Sequence, residues 1–135
     1  MSYRIDEIEG IGALMAGKLG EAGVRTTEDL LSRCGSAAGR KAISKQSGIS
    51  ETSLLAWVNM ADLMRITGVA GEFSELLEAA GVDTVKELQH RNVDNLVTKM
   101  AAVNEEKKLV RRLPNASEVT KWIEQAKTLA PMVSH

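Results

Sequence analysis

Aromatic residues are scarce: two Trp, one Tyr and one Phe make up 3% of the 135 residues. That argues against a stacking platform for single-stranded bases. Cysteine occurs once, as Cys34, so no disulfide can close within the chain, which agrees with a reducing compartment. Cys34 lies at a predicted helix end and reads as a small buried hydrophobe, because no neighbour in the sequence would activate its thiol. No apolar run approaches the roughly 20 residues that a bilayer core requires. Asp6 and Glu7 stand where a signal peptide would carry its apolar stretch. The expectation is a cytoplasmic protein with no membrane partner. A surplus of one charge is missing too: 17 Lys and Arg face 18 Asp and Glu, a formal net charge of −1. Strong, whole-surface nucleic-acid binding is thereby excluded, since that affinity comes from neutralising phosphates. Contact with nucleic acid must come from a local patch and be weak.

Catalytic and metal signatures are lacking as well. His90 and His135 share no ligand spacing with each other or with Cys34. Asp6, Glu7 and Glu9 are spaced as a solvated first turn facing away from Ile5 and Ile8. No nucleophile–base pair, P-loop or dinucleotide glycine pattern is present. The expectation is a non-enzymatic protein with no cofactor and no metal.

What is present is 44% hydrophobic and 26% charged residues, ordinary for a globule with a proper core, and an internal repeat. At an offset of 58 the identical pairs are Ile8/Ile66, Gly10/Gly68, Leu19/Leu77, Ala22/Ala80, Gly23/Gly81, Val24/Val82, Thr26/Thr84 and Leu30/Leu88. After seven inserted residues the likeness resumes, pairing Leu54, Trp57, Val58 and Ala61 with Val119, Trp122, Ile123 and Ala126. Turn glycines and helically spaced apolar residues are what duplication of a structural unit leaves behind.

The punctuation is helical throughout. Helices are expected near 12–22, after Thr26, and over 36–47, 50–65, 70–80, 84–91, 93–103, 105–112 and from Asn115 to about 129. Thr26 with Asp29, Thr84 with Glu87 and Asn115 with Glu118 have capping-box spacing, and Ser50 is an N-cap. Gly23 stops the first helix and Pro114 ends the run before the last. No segment alternates with period two, so no sheet is expected.

The segment with most chemistry is Ile5-x-x-Ile8-x-Gly10-Ile11-Gly12-x-x-x-Ala16-x-x-Leu19. Two glycines flanking Ile11 allow a tight bend while Ile11 plugs the core. The helix that follows opens on uncapped amides at the positive end of its dipole, where an anion fits. These residues resemble the helix-hairpin-helix motif of DNA repair, recombination and replication proteins, which holds backbone phosphate without reading sequence. The run Leu19-x-x-Ala22-Gly23-Val24-x-Thr26-x-x-Asp29-Leu30 is similar to the helix that follows such hairpins in paired-repeat domains. Over nearly its whole length, including Val103 to Arg112, the chain resembles the bacterial domain of unknown function 4332. The resemblance implies a fold and no agreed activity.

The fold expectation is all-α: two tandem helix-hairpin-helix repeats, 1–65 and a diverged 66–135, packed as a pseudo-symmetric, SAM-domain-like bundle of orthogonal hairpins sharing one core. The resemblance implies phosphate contact by the backbone of Gly10, Ile11, Gly12 and Ala13, helped by Lys18. Lys107, Lys108, Arg111 and Arg112, four apart in pairs on the expected 105–112 helix, form a second candidate contact. Their competing reading is dipole matching behind Glu105 and Glu106. Arg40, Lys41 and Lys45 read as a solvated face, and Trp57 and Trp122 as core anchors.

Departures from the DNA-binding pattern are specific. Leu14 occupies the place that is often basic. In the second copy Ala70 replaces the second glycine, and Glu72 and Glu75 stand in the next helix, repelling phosphate; that copy reads as structural. Two functions follow: a sequence-independent nucleic-acid-binding accessory protein, or a protein-interaction adaptor that has lost the phosphate grip. Joint exposure of Leu14 and Met15 would favour the adaptor.

Overall fold

A computed structural model of the chain describes residues 2–135. Among these residues a single 3-10 turn, Ile5–Glu7, precedes eight helices: α1 (Ala13–Glu21), α2 (Thr27–Cys34), α3 (Ala37–Ser47), α4 (Glu51–Leu63), α5 (Gly71–Ala79), α6 (Val85–Leu88), α7 (Val93–Lys107) and α8 (Ala116–Ala126). The fold is all-helical, and the one strand-like pairing among the described residues is an isolated bridge between Arg4 and Thr26.

Helix starts follow local side-chain chemistry. Thr26 accepts the Asp29 amide while Asp29 accepts the Thr26 amide, and Asn115 and Glu118 do the same for α8. Ser50 caps α4 through the Ser53 amide. Each such cap satisfies amides that have no partner inside the helix.

Two expected elements differ. Thr84 makes no side-chain cap; instead the Val85 amide donates to Asp62 Oδ2 at 2.9 Å, and Glu87 accepts the Asp83 amide. A carboxylate on α4 therefore opens α6. The second difference is the missing 105–112 helix. α7 runs unbroken through Asn104 and stops at Lys108, which is left-handed (φ 53°). The Asn104 side chain then brackets Val110, donating to its carbonyl at 3.1 Å and accepting its amide at 2.9 Å. This bracket buries Val110 and holds 108–113 out of the helix. Lys107 consequently ends α7 while Lys108, Arg111 and Arg112 lie on an irregular connection, so the four form no ridge with helical spacing.

Residues 58 apart make the same bonds. The Ile11 amide donates to Ile8 O and the Val69 amide to Ile66 O; the Val24 amide donates to Leu19 O and the Val82 amide to Leu77 O. Gly10 and Gly68 both have strongly positive φ, 95° and 91°, a region L side chains avoid. A Cβ on either would lie 3.5 or 3.4 Å from the indole Nε1 of Trp57 or Trp122. Each buried tryptophan therefore covers the glycine bend of its own copy, which explains why both copies keep both residues.

In place of one shared core, the buried apolar residues divide into two clusters. One gathers Ile5, Ile8, Ile11, Leu19, Leu30, Cys34, Leu54 and Trp57 with their neighbours. The other gathers Leu63, Ile66, Leu77, Leu88, Leu96, Val119 and Trp122. The end of α4 serves both, since Leu63 enters the second cluster and Met64 the first. Arg40 is not part of a solvated face: it is 5% exposed and donates to the carbonyls of Cys34, Gly35 and Ser134.

Candidate nucleic-acid interface

The first bend is built on three isoleucines. Ile5, Ile8 and Ile11 are buried, which pins the backbone on both sides of Gly10 and turns Gly10, Gly12 and Ala13 outward. α1 starts without a cap, because Gly12 has no side chain to accept its amides. The first helical bond is Ala16 N–H to Gly12 O at 2.9 Å. Among the described residues, no acceptor meets the amides of Gly12, Ala13 or Leu14. Ile11 differs from expectation: its amide donates to Ile8 O and its side chain is buried, so it has no donor to offer an anion.

Lys18 is half-buried in the last turn of α1, away from the uncapped end. Leu14, in the first turn, is 70% exposed. Met15 is only partly exposed and packs on the first cluster, so Leu14 and Met15 do not form a joint exposed patch.

Of the basic group, Lys107, at the end of α7, shares a cleft with this bend. Lys107 lines a cleft of about 330 Å³ together with Glu9, Gly10, Glu75 and Glu78. Lys108 and Arg111 line a broader cleft of about 870 Å³ with Glu9, Glu72 and Glu105. Arg111 and Arg112 reach the second bend, sharing a cleft of about 320 Å³ with Gly68, Ala70 and Phe73. Arg112 is engaged there: it makes a two-point ion pair with Glu118 at 2.7 and 3.1 Å and stacks 5.8 Å over the Phe73 ring. The guanidinium hydrogen bonds draw the Glu118 carboxyl down to about 2. Lys107, Lys108 and Arg111 are therefore the cations of this group without an ion pair among the described residues.

The second bend is partly covered by packing at Gly71, while Ala70 and Glu72 stay exposed beside the Arg111–Arg112 cleft. α5 also lacks a side-chain cap, yet a Cβ on Gly71 would stand 2.5 Å from the Glu7 carbonyl and 3.6 Å from Glu9 Oε1. The glycine that Ala70 displaces thus recurs one residue later because the backbone of residue 7 passes over it. The Glu9 carboxylate at this helix start meets the dipole favourably. Carboxylates dominate the neighbourhood. Burial, then the charge of Glu9, raises the Glu75 carboxyl. Burial, then Asp83 and Glu75, raises that of Glu78, whose Oε2 is buried without a partner.

Asp62, Asn104 and Arg40 organise the scaffold, and sequence reasoning missed all three in these roles. One signal was available for Asp62: it is the one charged residue in the stretch Trp57–Met64 and has Arg65 three residues on, the spacing of the 2.8 Å ion pair they form. Among the described residues no group of three His, Cys, Asp or Glu could hold a metal ion. Among the described residues, too, no helix is long and apolar enough to cross a membrane.

The protein is an all-helical scaffold with two glycine bends, each followed by a helix without a side-chain cap, and the first helix start is the more exposed of the two. The chain belongs to the family described as domain of unknown function DUF4332, which matches residues 9–129. No curated protein and no solved structure matches it.

Proposed function

We propose that the protein is a non-catalytic accessory factor that holds nucleic-acid backbone phosphate, independently of sequence, on a tandem helix-hairpin-helix scaffold with units 1–65 and 66–135. The matched hydrogen bonds at an offset of 58 support the scaffold reading. One observation carries the function: the exposed Gly12–Leu14 amides open α1 with no acceptor. Partial positive charge there attracts a phosphate, and Lys107 stands across the adjoining cleft. Ile11, engaged internally, is left out of the contact set; Lys107, Lys108 and Arg111 supplement it.

The binding predicted is weak and salt-sensitive, because few cations take part and carboxylates surround them. The test is titration of duplex and single-stranded DNA at low salt against the protein and its Gly12→Glu variant. Residue 12 has an ordinary φ of −88° and nothing within 4 Å of a Cβ, so the variant folds while placing a carboxylate at the helix start. Loss of most binding in Gly12→Glu is expected. Binding that is absent from the parent, or unchanged in the variant, would refute the proposal.

A protein-adaptor role is the second reading; the joint exposure of Leu14 and Met15 that would favour it is not met, and Leu14 alone, 70% exposed on the same edge, supports it. Leu14→Lys separates the two: it strengthens a phosphate contact several-fold, whereas it abolishes an apolar one.

A further inference from the structure

The segment after α8 doubles back across the molecule. Ala130 O accepts from Arg65 Nη1 at 2.8 Å. Four residues on, the Ser134 amide donates to Gly35 O at 2.8 Å, and Ser134 O accepts from Arg40 Nη2 at 2.7 Å. Between them the Met132 carbonyl lies against the Cα of Gly35, leaving no space for a Cβ, and Val133 packs on the first cluster. A chain stretch from the second half therefore lies over the junction of α2 and α3 in the first.

Arg40 makes this seat unusual. It is buried, yet every acceptor it has is a neutral carbonyl: Cys34 O and Gly35 O from the end of α2, and Ser134 O from the returning segment. The α2 end carries partial negative charge that suits a cation. The third carbonyl comes from elsewhere in the chain and leaves if that segment leaves, whereupon water can replace it. The segment has no helix or strand of its own, and on its α6 side it stands over an open cavity of about 570 Å³. Few hydrogen bonds, one apolar anchor and a cavity beneath are the marks of a region that opens well below the global unfolding free energy.

We infer that residues 130–134 form a releasable latch, seated on Arg40 and Gly35, that shuts the first hydrophobic cluster and opens without unfolding either cluster. Cys34 is the built-in reporter. It is the sole cysteine, it is fully buried in the first cluster, and its carbonyl shares the Arg40 guanidinium with the latch. Burial pushes its thiol up to about 11, so reaction requires opening.

The experiment uses the full chain and its Val133→Asp variant. Cys34 labelling by an aromatic disulfide reagent is followed under native conditions, alongside amide exchange at Ser134, at Trp57 in the first cluster and at Leu96 in the second. The parent Ser134 amide is expected to be protected at least about tenfold while exchanging far faster than the helix interiors. Val133→Asp should raise the Cys34 labelling rate about tenfold or more and leave Trp57 and Leu96 protected. An unprotected Ser134 amide in the parent overturns the latch. So does unchanged Cys34 labelling in the variant, and so does loss of protection in both clusters together, which would mark Val133 as an ordinary core residue.

Discussion

At the scale of single residues, the most consequential group is Glu78. Its Oε2 is buried without a hydrogen-bond partner, and burial followed by the charges of Asp83 and Glu75 raises its carboxyl. A carboxyl raised in the folded state adds stability that is complete below its unfolded-chain value and is lost as pH rises through the folded value. At pH 7 its ionised form is thus a liability. Glu78→Gln keeps the shape and removes the charge, and is expected to stabilise by up to about 1 kcal/mol at pH 7, the scale of one badly partnered polar atom. Below the ordinary carboxyl value of 4.5 the gain should vanish, since both side chains are then neutral. Urea midpoints at the two pH values check this, and an equal gain at both would contradict it. Asp29 has the opposite sign. The Arg25 amide, first among its causes, lowers its carboxyl, so its contribution holds above 3.8 and fades as pH falls through the folded value.

At the scale of helices, α2 and α6 follow matched sequence 58 residues apart and yet start in different ways. Thr26 and Asp29 cap α2 locally, whereas α6, only four residues long, depends on Asp62 reaching across from α4. Thr26→Ala should cost about 1 kcal/mol, the usual loss for an N-cap. Thr84→Ala has no cap to remove. Asp62→Ala should cost about 2–3 kcal/mol, because it strips a charged acceptor from the Val85 amide and leaves Arg65 without its ion-pair partner. Chemical denaturation of the three variants tests the order; a Thr84→Ala loss equal to that of Thr26→Ala would show that the two helices still share one capping mechanism. The α7–α8 connection makes the same point about elements. Charge pairs at i and i+4 suggest a helix over 105–112, but Asn104, by holding both polar groups of Val110, supplies bonds that a helix would otherwise provide.

At the scale of the whole molecule, two apolar clusters are tied by α4, by Asp62 to Val85, by Arg65 to Ala130 and by Ser134 to Gly35. Each cluster holds one tryptophan, Trp57 in the first and Trp122 in the second. With so many ties the clusters should unfold together. Single-tryptophan proteins, Trp122→Phe to watch the first cluster and Trp57→Phe to watch the second, are expected to show tryptophan-fluorescence transitions that coincide with the far-ultraviolet dichroism transition of the same protein. A fluorescence midpoint displaced from the helix midpoint would reveal an intermediate with one cluster melted. Such a transition concerns global unfolding, and the smaller opening at the latch lies beneath it.

Period, turn and cap residues alone determined that this chain is helical, where most helices begin, that two stretches 58 apart share a design, and that Trp57 and Trp122 belong inside. These features are local, arising from interactions within a few residues. Tertiary structure decided what depends on distant partners: that Asp62 opens α6, that Arg40 is buried beneath Ser134, that Glu7 covers the second bend, and that Lys107 faces the first. The free amides of α1 were legible at Gly12, because a residue without a side chain cannot cap. Whether another part of the chain would fill that place was decided only when all of it had packed.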